Sequence, residues 1–215
     1  MEINFANAAL IIIDVQNDFC PGGALAVENG DRVITPLNAL VSLFADRGGR
    51  IAATQDWHPI DHASFAASHE NKKPGDLIDL PGTKNQVLWP AHCIMGSRGA
   101  DFHDDIDLKP VHFIIRKGFR KNLDSYSAFF ENDRKTSTGL DGFLKSLSIG
   151  TLVLGGLATD YCVYYSAMDA KALGYETIVA GDAVRGVGFP QGSVEKAIKS
   201  MKEAGIKIIE SGDIE

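Results

Sequence analysis

The residues of this chain that could do chemistry fall into two groups. The first centres on Cys162 in Ala158-Thr159-Asp160-Tyr161-Cys162, just past an apolar run that ends in Gly155-Gly156, with Thr159 or Asp160 placed to cap a following helix. A cysteine in the first turn of a helix lies among unpaired N–H groups. Their field favours thiolate over thiol, and the same donors can hold the oxyanion that forms when sulfur attacks a carbonyl. Lys117, at the end of another apolar run, would add positive charge, and Asp14, closing the first run, could take the thiol proton. That is a Cys-Lys-Asp arrangement for acyl transfer. The plainer readings are a buried structural cysteine and an Asp14–Lys117 ion pair without a catalytic role.

The second group is Asp56-Trp57-His58 with His92 in Trp89-Pro90-Ala91-His92-Cys93. Alternation along an extended segment points Asp56 and His58 the same way, so both can reach one cation while His92 arrives from a long connection. Two imidazoles and a carboxylate suit zinc, iron or manganese and leave coordination positions open. A hydrogen-bonded Asp-x-His pair is the plainer alternative. Of the remaining histidines, His62 alone is close enough in sequence to His58 to approach such an ion; His69, His103 and His112 read as ordinary. Phe19, Trp89 and Tyr126 lie near these groups in sequence and could stack on a flat ring.

Such residues converge only if a scaffold gathers them. Apolar, β-branched runs at 9–15, 50–54, 111–116, 151–155, 176–180 and 206–210 predict six strands buried on both faces. Between them, Val33, Leu37, Leu40, Val41 and Phe44 form one helical stripe, with Asp31 as its cap and Gly48-Gly49 as its stop. Further helices are predicted over 139–147, 160–173 and 193–204. This alternation predicts an α/β fold, a three-layer α/β/α sandwich on a mostly parallel six-stranded sheet. In such sheets ligands bind outside the carboxyl ends of the strands, and Asp14, Asp56, His58, Lys117 and Cys162 all fall at predicted strand exits. The connection from about 56 to 110 is far longer than usual, so it is expected to build the pocket wall from turns and short helical pieces.

The 215 residues suit one domain over 1–215. A net charge of -7 gives no general attraction to nucleic acid or anionic lipid. The run 8–15 is too short to span a bilayer and has no basic leader, so neither a membrane nor secretion is expected, and the cytoplasm is the expected location. Cys20, Cys93 and Cys162 are expected to be free thiols. No glycine-rich phosphate loop follows the first strand, which speaks against nucleotide binding.

The segments 13–19 (Ile-Asp-Val-Gln-Asn-Asp-Phe) and 21–23 (Pro-Gly-Gly), 54–59 (Thr-Gln-Asp-Trp-His-Pro), 89–93, Lys117-Gly118, and 155–163 (Gly-Gly-Leu-Ala-Thr-Asp-Tyr-Cys-Val) together resemble the nicotinamidase (pyrazinamidase) branch of the isochorismatase-like cysteine hydrolases, almost end to end. The resemblance implies hydrolysis of the carboxamide of nicotinamide, and of pyrazinamide, to the acid and ammonia through a thioester on cysteine, a reaction of NAD salvage. It implies Asp14, Lys117 and Cys162 as the catalytic triad, with the N–H groups of Ala158 and Cys162 as the oxyanion donors. It also implies Asp56, His58 and His92 as ligands of one divalent ion, zinc before iron or manganese, and a cis peptide between Leu157 and Ala158. Phe19 and Trp89 are implied to embrace the ring, with Tyr126 beside them; His62 and Ser64 both stay open as an extra metal ligand. A small-molecule substrate is the expected partner, with room for a homo-oligomer. The rival readings are another amidohydrolase or an isochorismatase-type hydrolase of the same superfamily, and, from a different class, a flavodoxin-like metal-dependent binding or redox protein using Cys93.

Overall fold

The computed structural model describes residues 1–215. The first strand, β1 (Ala8–Ile13), is wholly apolar and fully buried because it lies at the middle of the sheet with both faces covered. Its side chains alternate between two cores. Ala8, Leu10 and Ile12 pack with Leu37, Leu40, Val41 and Phe44 of α1 (Ile34–Asp46), whereas Ala9, Ile11 and Ile13 pack with residues of α2 (Leu140–Ser146), α3 (Tyr164–Ala172) and α4 (Ser193–Glu203).

The other strands are β2 (Arg50–Asp56), β5 (Phe113–Lys117), β6 (Thr151–Leu157), β7 (Glu176–Arg185) and β8 (Lys207–Ile209), with β3 (Leu77–Leu80) and β4 (Thr83–Val87) forming a separate antiparallel pair. The main sheet runs β5-β2-β1-β6-β7-β8 with every neighbouring pair parallel. This is the three-layer α/β/α sandwich on six parallel strands that the strand and helix pattern predicts. No helix is long and apolar enough to cross a membrane.

Several predicted bounds move, each for a local reason. β1 stops at Ile13 because Asp14 turns into the left-handed region at φ 46°. β5 begins at Phe113 rather than 111, since the Val111 N–H folds back onto Leu108 O in a turn. β7 runs on past Gly181-Asp182 to Arg185, its register against β6 shifting between Leu154 and Gly156. The cap predicted at Asp31 does not form: a 3₁₀ turn, Gly30–Val33, precedes α1 and contains Asp31. The stop holds, with Gly48 at φ 74° and Gly49 N–H bonded to Phe44 O at 2.8 Å.

The long connection between β2 and β5 contains the turns expected, with short 3₁₀ pieces at Ala66–Ser68 and Arg98–Ala100, and also the β3–β4 hairpin, which the pattern reading passes over. Its two-residue turn is Pro81-Gly82, a type of link that needs the positive φ (81°) glycine supplies. Isolated parallel bridges, His58 with Ile94 and Phe65 with Trp89, bind the start of this connection to its middle and bring His92 back beside β2.

Candidate functional site

The strand order sets the first cluster. β1 lies between β2 and β6, and β5 flanks β2, with Asp56 opposite Lys117 and Ile13 opposite Gly156 in the registers. Residues that follow β1, end β2 and β5, and follow β6 therefore face one another at the carboxyl edge of the sheet. Close approach at one point requires glycine: a Cβ on Gly156, at φ 125°, would lie 2.0 Å from Ile13 O.

Lys117 is completely buried. Its Nζ stands 2.8 Å from Asp14 Oδ2, donates to Ser125 O at 2.9 Å and to Cys162 Sγ at 3.5 Å, and pairs closely with Asp56 Oδ1. Burial opposes its charge, but the two carboxylates outweigh that and hold the ammonium well above the ordinary lysine range. Two carboxylates thus share one cation, and they divide. Burial would raise Asp56, yet Lys117, His58 and His92 together hold it well below the usual carboxylate range. For Asp14, burial and the neighbouring Asp56 charge prevail over Lys117, and its carboxyl is raised. The member of the pair better suited to accept a proton is therefore Asp14.

Cys162 is 6% exposed, in a π-helical turn, Thr159–Val163, that runs into α3; the Val163 N–H reaches back to Ala158 O. Two expectations need correction here. Neither Thr159 nor Asp160 caps the turn, because the Asp160 carboxylate instead accepts the Val187 and Gly188 N–H groups and the Ser193 hydroxyl. Nor is the thiol acidified: burial pushes it up, Lys117 pulls against this, and Asp14 and Asp56 push it further, leaving it well above the ordinary thiol range. An oxygen of the Asp14 carboxylate lies within 4.8 Å of its sulfur. The Leu157–Ala158 peptide is cis, as the resemblance implied. Cys20 and Cys93 are also buried and free, and burial raises both, Cys20 to about 11.

The second cluster shares Asp56. His58 Nε2 lies 3.5 Å and His92 Nε2 3.9 Å from Asp56 Oδ2, and the ligand atoms of the three residues all fall within 4.8 Å of one another. His58 Nδ1 donates to Gly118 O and His92 Nδ1 donates to Pro90 O, each at 2.8 Å. Those bonds place a proton on each Nδ1 and turn each Nε2 toward the carboxylate, which is how ligating imidazoles are held. Burial and the neighbouring His58 bring His92 down to about 4, so it is neutral and able to ligate. Burial also works against charge on His58, but Asp56 prevails and raises it; a cation at this point would displace that proton. The donor set fits a divalent ion. Gly118, at φ 66°, is required beside it, since a Cβ there would lie 2.4 Å from His58 Cε1.

His62 lies beside His58, their ring centroids 4.5 Å apart, and has a ligand atom within 4.8 Å of those of His58 and Asp124. Its Nδ1 bonds Ser64 Oγ at 2.7 Å and its Nε2 faces Leu123 O, which leaves Ser64 engaged as well. Beside both clusters opens a small pocket lined by Phe19, Trp89 and Tyr126 together with Asp56, His92 and Cys162. Aromatic walls with a few polar groups at one end suit a flat, single-ring molecule. Trp89 is held edge-on to Tyr161 at 4.8 Å, and its Nε1 donates to Tyr126 Oη at 3.1 Å. Tyr126 Oη also accepts from Gln86 Nε2, so Tyr126 forms wall rather than a free polar contact.

Sequence reasoning passes over other buried residues here. Gln16 grips the Asp56 backbone, accepting from its N–H and donating to its C=O, both at 2.8 Å; Thr54 donates to Asp14 Oδ1 at 2.6 Å. Asp124, Leu25, Tyr161 and Val187, with Ala158, complete the pocket lining. Strand alternation could have found Thr54, which shares a face with Asp56; for Asp124, in an irregular loop, the sequence carries no comparable signal.

The model of the isochorismatase domain matches residues 8–213. The nicotinamidase of Acinetobacter baylyi is 47% identical over 208 residues, covering 97% of this chain and 94% of its own. A solved nicotinamidase/pyrazinamidase of Acinetobacter baumanii superposes with a TM-score of 0.92 at 46% identity, covering 97% of this chain and 98% of that one. The pyrazinamidase of Pyrococcus horikoshii in complex with zinc gives 0.77 at 33%, covering 95% and 99%. With sheet order, site geometry and these matches in agreement, this chain belongs to the isochorismatase domain family.

Proposed function

We propose that this chain is a nicotinamidase, an amidohydrolase that releases ammonia and nicotinate from nicotinamide, and that it accepts pyrazinamide as well. The observation that carries the reading is the meeting of Cys162, Lys117 and Asp14 beside a one-ring pocket that Asp56 and His92 also line, with His58 grouped with them. The near-full-length likeness to nicotinamidases supports it. On this reading residues 1–215 are one catalytic domain, and the long connection between β2 and β5 supplies the pocket wall.

Asp56, His58 and His92 would hold one divalent ion, zinc being the best match to two imidazoles and a carboxylate. When bound, that ion supplies a Lewis-acidic contact for the ring nitrogen of the substrate and so orients it. Phe19 and Trp89 then enclose the ring, which sets the carboxamide carbon against Cys162 Sγ.

The rest of the chemistry belongs to the side chains. As sulfur adds to the carboxamide carbon, the thiol proton passes to Asp14 Oδ2, and the N–H groups of Ala158 and Cys162 receive the oxyanion. Lys117 stays charged throughout and offsets the negative charge gathered there. Asp14 then gives its proton to the amine, the C–N bond breaks, and ammonia leaves a thioester on Cys162. Asp14 next takes a proton from a water molecule that adds to the thioester. Collapse releases nicotinate, and the proton returns from Asp14 to sulfur.

Ammonia release from nicotinamide, pyrazinamide, benzamide and acetamide tests this. Nicotinamide and pyrazinamide should be cleaved far faster than benzamide, which lacks the ring nitrogen, and acetamide should be poor. Cleavage of benzamide at the same kcat/KM would remove the ring-nitrogen contact, and no cleavage of any amide would overturn the reading.

A further inference from the structure

Thr54 does not line the pocket, and both hydrogen bonds of its hydroxyl go to Asp14. Oγ1 donates to Asp14 Oδ1 at 2.6 Å and accepts from the Asp14 N–H at 3.2 Å. Thr54 is completely buried near the end of β2, and Asp14 sits in the left-handed region at φ 46°, a backbone state that a residue with a side chain needs help to keep. A hydroxyl has one proton to give. With that proton on Oδ1, and with the Asp14 amide on its lone pair, the hydroxyl cannot turn. The other oxygen is left differently: Asp14 Oδ2 accepts no hydrogen bond of good direction, although Lys117 Nζ stands 2.8 Å away, and an oxygen of the Asp14 carboxylate lies within 4.8 Å of Cys162 Sγ.

We propose that Thr54 is a positioning residue that holds Asp14 by one carboxylate oxygen so that the other alone receives the proton of Cys162. This rests on the reading that Cys162 is the nucleophile and Asp14 its base. Thr54 acts through Asp14 and never meets substrate. Without the hydroxyl, the carboxylate is free to rotate and present either oxygen to Lys117, and the acceptor leaves the line of the thiol.

Thr54→Val keeps the shape and the β-branch and removes only the hydroxyl; Thr54→Ser restores the hydroxyl and removes only a methyl. Two readouts separate positioning from packing. In steady-state hydrolysis of nicotinamide, Thr54→Val should lower kcat about 10- to 100-fold, a share of what general base catalysis contributes, while KM stays within about threefold, and Thr54→Ser should recover most of kcat. In the absence of substrate, iodoacetamide alkylation of Cys162, followed by peptide mass spectrometry, should slow by a similar factor in Thr54→Val and recover in Thr54→Ser. In that reaction the S–H proton goes to Asp14, the S–C bond forms and iodide leaves. If Thr54→Val does not fold, Thr54→Ala is measured in its place against the same serine variant.

Wild-type kcat and wild-type alkylation in the hydroxyl-free variant would overturn the proposal. So would equal loss in the valine and serine variants, which would assign the effect to packing. Should the wild-type protein release no ammonia from nicotinamide, the functional reading falls by itself, and the alkylation comparison still decides the role of Thr54.

Discussion

Replacing Lys117 with Met puts the electrostatic account under the most strain. The variant keeps the length of the buried stem but leaves Asp14 and Asp56, both at the carboxyl edge of the sheet and both buried, without their shared cation. Two unpaired carboxylates that close cannot both stay ionised in so dry a place, so one must keep a proton. Asp14, already raised in the native protein, is the one that will. Holding an aspartate protonated at pH 7 against an unfolded-state value of about 3.9 costs about 4 kcal/mol, at roughly 1.4 kcal/mol for each pH unit. At pH 5 the same term falls to about 1.5 kcal/mol. The sign follows from linkage: the folded variant binds a proton that its unfolded chain gives up, so its stability falls as pH rises above the unfolded value. For a chain of this size about 4 kcal/mol corresponds to a Tm lowered by roughly 8–16 °C. Thermal unfolding of the wild-type and Lys117→Met proteins, in a chelator at pH 7 and at pH 5, measures it. The gap should be wide at pH 7 and less than half as wide at pH 5. A gap below about 3 °C at pH 7, or one that does not narrow on acidification, would refute the reasoning.

Two further outcomes follow from the same geometry. Gly118→Ala should lower zinc content, measured on purified protein, and destabilise the fold by about 1–3 kcal/mol, because the new methyl must displace His58 while the backbone stays at positive φ. Alkylation of Cys162 without substrate should keep rising with pH beyond the ordinary thiol value near 8.5, since burial and two carboxylates hold the sulfur protonated; a plateau below pH 7 would show a thiolate at rest.

Much of this was legible in the residues because strands exposed to no water leave a plain signal. The solid apolar run of β1 and the stripe of α1 are dictated by burial, and six parallel strands with their helices follow. Asp14, Lys117 and Cys162 were readable for the same reason: charge or nucleophile at the exit of an apolar strand has few purposes. Less legible was whatever depends on several segments at once. A helix dipole predicts a more acidic Cys162, but burial and three charges at the ends of three other strands act on it instead, and none of those distances can be read from spacing. The cap role expected of Asp160 failed because the loop 186–193 competes for the same carboxylate. The β3–β4 hairpin was passed over although Pro81-Gly82 marks its turn, since its strands are short and half-exposed and carry little apolar alternation.

The chemistry turns on one sulfur atom. Rapid quenching of the enzyme with nicotinamide, followed by peptide mass spectrometry, should find a single nicotinoyl thioester, on the peptide that carries Cys162; Cys162→Ala should show no adduct and release no ammonia, while Cys20→Ala and Cys93→Ala behave as wild type. Ammonia release by Cys162→Ala at the wild-type rate, or an acyl group carried on Cys20 or Cys93, would contradict the account.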